Sequence, residues 1–197
     1  MSSNRRRFLQ STLLGVSSAA LPCTAIASNL QKRPRILLRG SWHSINIGDI
    51  AHTFGTINLI KTYLPEVEII LWPENVRDGV REMILRRFPN LRIIQKDREV
   101  QSAFQECDFF LHGSGPVLVG QDELVRWRKE TGKPYGVFGI GIGNKRAAEQ
   151  RDLLTNAEFL FFRESVSLQR AKDNGVKCPV MGFGPDATFS TDVRHYT

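Results

Sequence analysis

The stretch GSWHSINIGD, residues 40–49, gathers a Trp, a His, an Asn, an Asp and two glycines into one short segment. Those types, so close together, can build a site as well as a turn. His43 could take the proton of a substrate hydroxyl as a general base, although a lone loop histidine is more often a solvated polar residue. Asp49 is a second candidate base; its plainer role is to cap the helix that follows. With Asn46 and Gly48, that helix start could instead shape an oxyanion or phosphate site, where glycine allows close backbone approach. His52 lies one turn further on and would line the same crevice. Trp42 either stacks on a sugar ring or anchors the loop.

Similar residue types recur downstream. HGSGP (112–116) follows an apolar run and has the layout of a phosphate cradle around Gly113 and Gly115. Arg163 also follows an apolar run; it could clamp a carboxylate or phosphate, or pair with Glu164 or Asp186. Ser165 sits where the next helix would be capped. GIGIG (139–143) alternates its glycines and does not match the G-x-G-x-x-G fingerprint, which argues against a nicotinamide or flavin cofactor. Alternating glycines at a strand end point to close packing against another backbone. No Cys or His cluster has metal-ligand spacing.

These residues need elements to hold them. Apolar runs at 35–40, 67–72, 91–95, 108–113, 134–141, 158–163 and 179–183 predict seven strands. Amphipathic stretches at 49–64, 76–88, 98–107, 122–132, 145–157 and 165–175 predict six helices between them. Strict alternation, with several near-continuous hydrophobic strands, predicts an α/β fold: a Rossmann-like parallel sheet with helices on both faces. In such a sheet the ligand edge lies at the carboxyl ends of the strands, near the point where strand order reverses. The loops richest in Gly, His, Asn, Ser, Arg and Asp all follow strands.

Residues 1–27 read as an export signal rather than as part of the fold. Arg5 and Arg6 open RRRFLQ, a twin-arginine pattern; a weakly apolar stretch follows, and Ala25-Ile26-Ala27 makes a small-x-small cleavage site. This predicts export through the twin-arginine translocase to the periplasm or cell surface, with membrane contact only through the signal. Residues 28–34 read as a linker, and 35–197 as the domain. The formal charge of the whole chain is +7. Removing the signal takes away three arginines and no acids and leaves a mildly basic domain, not the footprint of a nucleic-acid binder. Cys107 and Cys178 precede predicted strands and read as small buried residues that do not pair. The pattern stops at DVRHYT without a closing helix, which predicts truncation of a larger, two-domain molecule.

The motifs taken together resemble the polysaccharide pyruvyl transferase family. The pieces are NIGD (46–49), DFFLHGSGPVLVG (108–120), KPYGVFGIGIG (133–143), FRESVSLQRAKDNGV (162–176) and PDATF (185–189). The resemblance departs from the family where Ser114 interrupts a glycine triplet and where Glu164 stands for an Asp. It implies one half, the N-terminal one, of a two-domain glycosyltransferase-like fold of the GT-B type. It also implies transfer of the enolpyruvyl carbons of phosphoenolpyruvate to sugar hydroxyls, forming a ketal and releasing phosphate. Asn46, Gly48 and Asp49 would then line the interdomain cleft, Gly113 and Gly115 would frame it, and Arg163 and Ser165 would support it. Much of the donor site would come from the second domain, so this stretch alone is not expected to carry the whole reaction. A different reading of the same residues is a non-catalytic, exported glycan-binding module.

Overall fold

The computed structural model describes residues 33–191 of the 197. The expected signal, most of the linker and the chain end at 192–197 lie outside the described residues. Seven strands form one sheet: β1 (Arg35–Gly40), β2 (Glu68–Pro73), β3 (Arg92–Ile93), β4 (Phe109–His112), β5 (Tyr135–Ile140), β6 (Phe159–Phe162) and β7 (Val180–Phe183). Their order is β3-β2-β1-β4-β5-β6-β7, and every pairing is parallel. The α/β reading therefore holds, as a doubly wound Rossmann-like sheet. Strand order reverses between β1 and β4, so the crevice belongs at their carboxyl ends.

The helices are α1 (Ile47–Tyr63), α2 (Val80–Arg87), α3 (Asp97–Glu106), α4 (Gln121–Thr131), α5 (Asn144–Glu149), α6 (Arg151–Thr155) and α7 (Ser165–Asp173). Successive residues of a strand face opposite sides of the sheet. Leu37, Ile70, Phe110 and Val137 accordingly pack with Phe104 and Trp127 in one layer. Leu38, Leu71 and Leu111 pack with Phe54, Ile57 and Ile84 in the other. Burial on both sides explains why the strands read as continuous apolar runs.

Two elements depart from expectation. The strand expected at 91–95 shrinks to two residues, because β3 is an edge strand paired only with β2. The helix expected at 145–157 breaks at Gln150, which ends α5 and starts α6. Gln150 is buried and donates to the side chain of Gln121, a tertiary bond that periodicity cannot reveal.

The chain after β7 decides the shape of the crevice. β7 is the far edge strand, yet the next residues dock on α1, which follows β1. Residues 184–191 therefore form a strap across the carboxyl ends of β6, β5 and β4. Gly184 donates its N–H to Phe162 O at β6. The strap then makes a 3-10 turn, Ala187–Ser190, against α1. A Cβ on Gly55 would lie 1.7 Å from Ala187 O, so only glycine lets the two backbones meet. Thr191 Oγ1 donates to Ala51 O at 2.9 Å and Asn58 Nδ2 to Ser190 O at 2.9 Å, which fixes the strap along the helix.

Candidate functional site

The loop 40–49 starts with a sharp turn. Ser41 has φ +53, a left-handed conformation that costs a non-glycine residue free energy and tends to occur where function needs it. Its N–H donates to Thr53 Oγ1 at 2.7 Å and its hydroxyl to Asn75 O at 2.7 Å. The chain then enters α1 at Asn46, whose side chain accepts from Gly48 N at 2.9 Å. The cap is thus Asn46, and Asp49 is freed from that role. It sits half-buried in the first turn, where the partial positive charge of the helix end favours a carboxylate. Asp49 and His52 are three residues apart and share a helix face.

His52 is the centre of the site. Its ring is buried, with 6% of the side chain exposed, and Nδ1 lies 2.8 Å from Asp186 Oδ1 on the strap. Ser114 Oγ, from the loop after β4, lies 3.0 Å from the same nitrogen. Ser114 Oγ accepts from Ala187 N at 3.2 Å and donates to Gly139 O at 3.2 Å. Arg163 Nη1, after β6, reaches the other oxygen of Asp186 at 3.3 Å. One carboxylate thus joins α1, the β4 and β6 loops and the strap. Burial pushes the Asp186 carboxyl up, but hydrogen bonds from His52 and from Thr188 N outweigh it and hold it well below the usual carboxylate range.

A second polar group sits on the opposite sheet face. Arg39 is 2% exposed and pairs with Glu74 and Glu123. Its guanidinium lies over the Trp42 and Trp72 rings, 5.7 Å and 5.2 Å from their centroids. His112 stacks on Trp42 at 4.7 Å and accepts from Gly120 N. Burial first, and the Arg39 charge second, push His112 down to about 3. Burial thus holds it neutral at ordinary pH.

This surrounding corrects several expectations. Trp42 is 4% exposed, its ring packs against His112 and Arg39, and Nε1 donates to Ser114 O at 2.7 Å. It anchors the loop, and a sugar has no face to stack on. Gly113 and Gly115 do not form a phosphate cradle, because their N–H groups donate to Arg39 O and Gly139 O. Their value is steric: a Cβ on Gly115 would lie 2.6 Å from Trp42 Nε1, and one on Gly113 3.1 Å from Arg39 O. Ser165 is exposed and is the first residue of α7, not its cap, which is Glu164. Ser167 binds instead, taking Ile142 N at 2.8 Å and donating to Glu164 Oε1 at 2.9 Å. Of Arg163's two readings the structure shows the ion pair with Asp186. His43 is exposed and stays outside the cluster. Among the alternating glycines, Gly139 and Gly141 do meet close neighbours, while Gly143 has open space. Cys107 and Cys178 are both free thiols.

Sequence reasoning missed Ser114 and Asp186 as site residues. Both were in view, Ser114 as an interruption of a glycine triplet and Asp186 as one of two partners for Arg163. Their meeting depends on the strap, which has no local signature. Among the described residues no group of acidic, His or Cys side chains could hold a metal ion, and no helix is long and apolar enough to cross a membrane.

The polysaccharide pyruvyl transferase profile matches residues 46–196, most of the chain and all of the crevice from Asn46 onward. The chain belongs to the polysaccharide pyruvyl transferase family. A comparison with curated proteins gives no match. Two solved structures are distant neighbours. One is described as a UDP-N-acetylglucosamine 2-epimerase from Listeria monocytogenes, at 16% identity and TM-score 0.42, covering 72% of this chain and 36% of that one. The other is the S. aureus MnaA–UDP co-structure, at 13% identity and TM-score 0.44, covering 83% and 46%. The chain spans less than half the length of either.

Proposed function

We propose that this family member contributes the sheet-edge half of a two-domain, GT-B-like transferase. It would move the enolpyruvyl carbons of phosphoenolpyruvate, or a like donor, to hydroxyls of an exported or cell-surface glycan. The observation that carries this reading is the cluster of His52, Ser114, Arg163 and Asp186 at the switch point of a chain in the pyruvyl transferase family. The methylene carbon gains a proton, C2 forms bonds to two sugar oxygens, and phosphate leaves with the electron pair of its C–O bond. One hydroxyl proton balances the new methyl group and the other leaves with phosphate. Asp49, half-buried in the first turn of α1 and one turn before His52, offers a carboxylate that could orient the acceptor hydroxyl, whereas His43 is exposed and outside the cluster. Arg163, with 32% of its side chain exposed, could reach a donor anion from its place beside Asp186. The twin-arginine pattern at Arg5 and Arg6 supports export through that translocase to the periplasm or cell surface.

The pairing of Arg163 with Asp186 also favours a second reading, a glycan-binding module without turnover, because it neutralises a cation that a donor would use. One experiment separates the two. The full-length protein is incubated with phosphoenolpyruvate and candidate glycans, and phosphate release and ketal formation are followed. Release with ketal formation supports the transferase. Glycan binding without release from any acceptor overturns it in favour of the module.

A further inference from the structure

Resting on the transferase reading, we propose that His52 is its acid–base residue and that Asp186 is the positioning residue that orients it. The argument starts from the two nitrogens of the ring. Nδ1 is engaged by Asp186 Oδ1 at 2.8 Å, so the proton on that side sits between nitrogen and carboxylate. Such a bond fixes the tautomer and leaves Nε2 as the nitrogen that exchanges protons. The two sealed side-chain polar atoms without a partner among the described residues are Arg39 Nε and His112 Nδ1. His52 Nε2 is not one of them, and among the described residues no hydrogen bond engages it; it is the nitrogen left for a ligand in the crevice.

Ser114 does not turn this into a nucleophilic triad. In a triad the hydroxyl and the carboxylate occupy opposite nitrogens of the ring. Here both are on Nδ1, and the Ser114 oxygen is spent on Ala187 N and Gly139 O. Its part is to hold the strap and the ring in register. The charged groups around His52 are Asp186 on the strap, Arg163 beyond it on the β6 loop, and Asp49 one turn back on α1.

The step balances with this one imidazole. Protonated His52 gives its Nε2 proton to the donor methylene, which becomes a methyl group, and C2 is left electron-poor. The sugar hydroxyl attacks C2, and its proton passes to Nε2, which restores the imidazolium. Phosphate then departs with the C–O electron pair, and the second hydroxyl closes the ketal as its proton leaves with phosphate.

The test has two arms. In the first, the full-length protein is labelled with 15N-histidine, and the His52 resonances are assigned by their loss in His52→Gln. The Nδ1–H signal is expected far downfield, as for a proton held against a carboxylate, and Asp186→Asn is expected to move it upfield. An Nδ1 without its proton, or a signal unmoved in a folded Asp186→Asn, overturns the pairing. In the second arm, His52→Gln should lower kcat by about 10²–10⁴-fold with KM little changed, and Asp186→Asn should lower kcat by less, again with KM little changed. Undiminished turnover in His52→Gln overturns this proposal alone. No turnover in the wild type overturns the transferase reading and His52's catalytic role with it, while the NMR arm still decides the pairing.

Discussion

At the residue scale, the crevice depends on a side chain that does no chemistry. Trp42 packs against Arg39 and His112 and ties the first loop to Ser114. Trp42→Phe is expected to cost about 1 kcal/mol, the usual net worth of one buried hydrogen bond. Trp42→Ala should cost about 3–5 kcal/mol through the cavity it leaves. Both values are readable from urea melts, and Trp42→Phe should leave glycan affinity unchanged. The carboxylate of Asp186 makes a pH prediction. Its folded value lies below the ordinary 3.8, so its contribution to stability is complete above that pH and is lost as pH falls below it. The stability advantage of the wild type over Asp186→Asn should therefore shrink on acidification below about pH 4, as followed by denaturant midpoints at stepped pH. The thiols offer a simpler check. Cys107 is sealed and pushed up to about 12 by burial, so in the native protein it should resist alkylation that Cys178 accepts. Mass spectrometry of labelled peptides reads both. What the sequence shows at this scale is residue type, not burial. Trp42 and His43 are neighbours with opposite fates, and His112, distant in the chain, helps to decide which is covered.

At the scale of elements, the alternation of strands and helices was legible because each side of the sheet is buried and apolar strand runs are separated by longer, more polar helical stretches; α1 is the exception, buried nearly all round between sheet and strap. Ends were legible where local chemistry sets them. Gly132 closes α4 with φ +63, as a glycine after a helix should. Ends set by tertiary contacts were not. Gln150, bonded to Gln121, divides one expected helix. The start of α1 is local but had two candidates, and Asn46 rather than Asp49 takes the cap. Lys133 shows how such contacts work. Its ammonium donates to Phe104 O at 2.8 Å, Gln105 O at 3.1 Å and Cys107 O at 2.7 Å, and so caps the carboxyl end of α3 from another element. Lys133→Met keeps the stem and removes the donors. It is expected to cost about 1–3 kcal/mol, the range for hydrogen bonds to a charged group, measurable as a shifted melting midpoint with unchanged strand content by circular dichroism.

At the scale of the whole molecule, the strap is what turns a sheet edge into a crevice. Gly55→Ala would drive a methyl group into Ala187 O, and overpacking against backbone costs about 1–3 kcal/mol. The variant should lose stability and, with it, the His52–Asp186 pair, seen as an upfield move of the His52 Nδ1–H signal. The strap also has a temporal consequence. Thr191 bonds Ala51 across 140 residues, and Asn58 bonds Ser190 across 132. Closing so long a loop carries a large entropic cost, so docking of the strap is expected to follow pairing of the intervening strands. His52 also leaves the ribosome well before Asp186, its carboxylate partner. The strands and helices ahead of the strap can form while still lacking the pair, which is made only when the strap docks on α1.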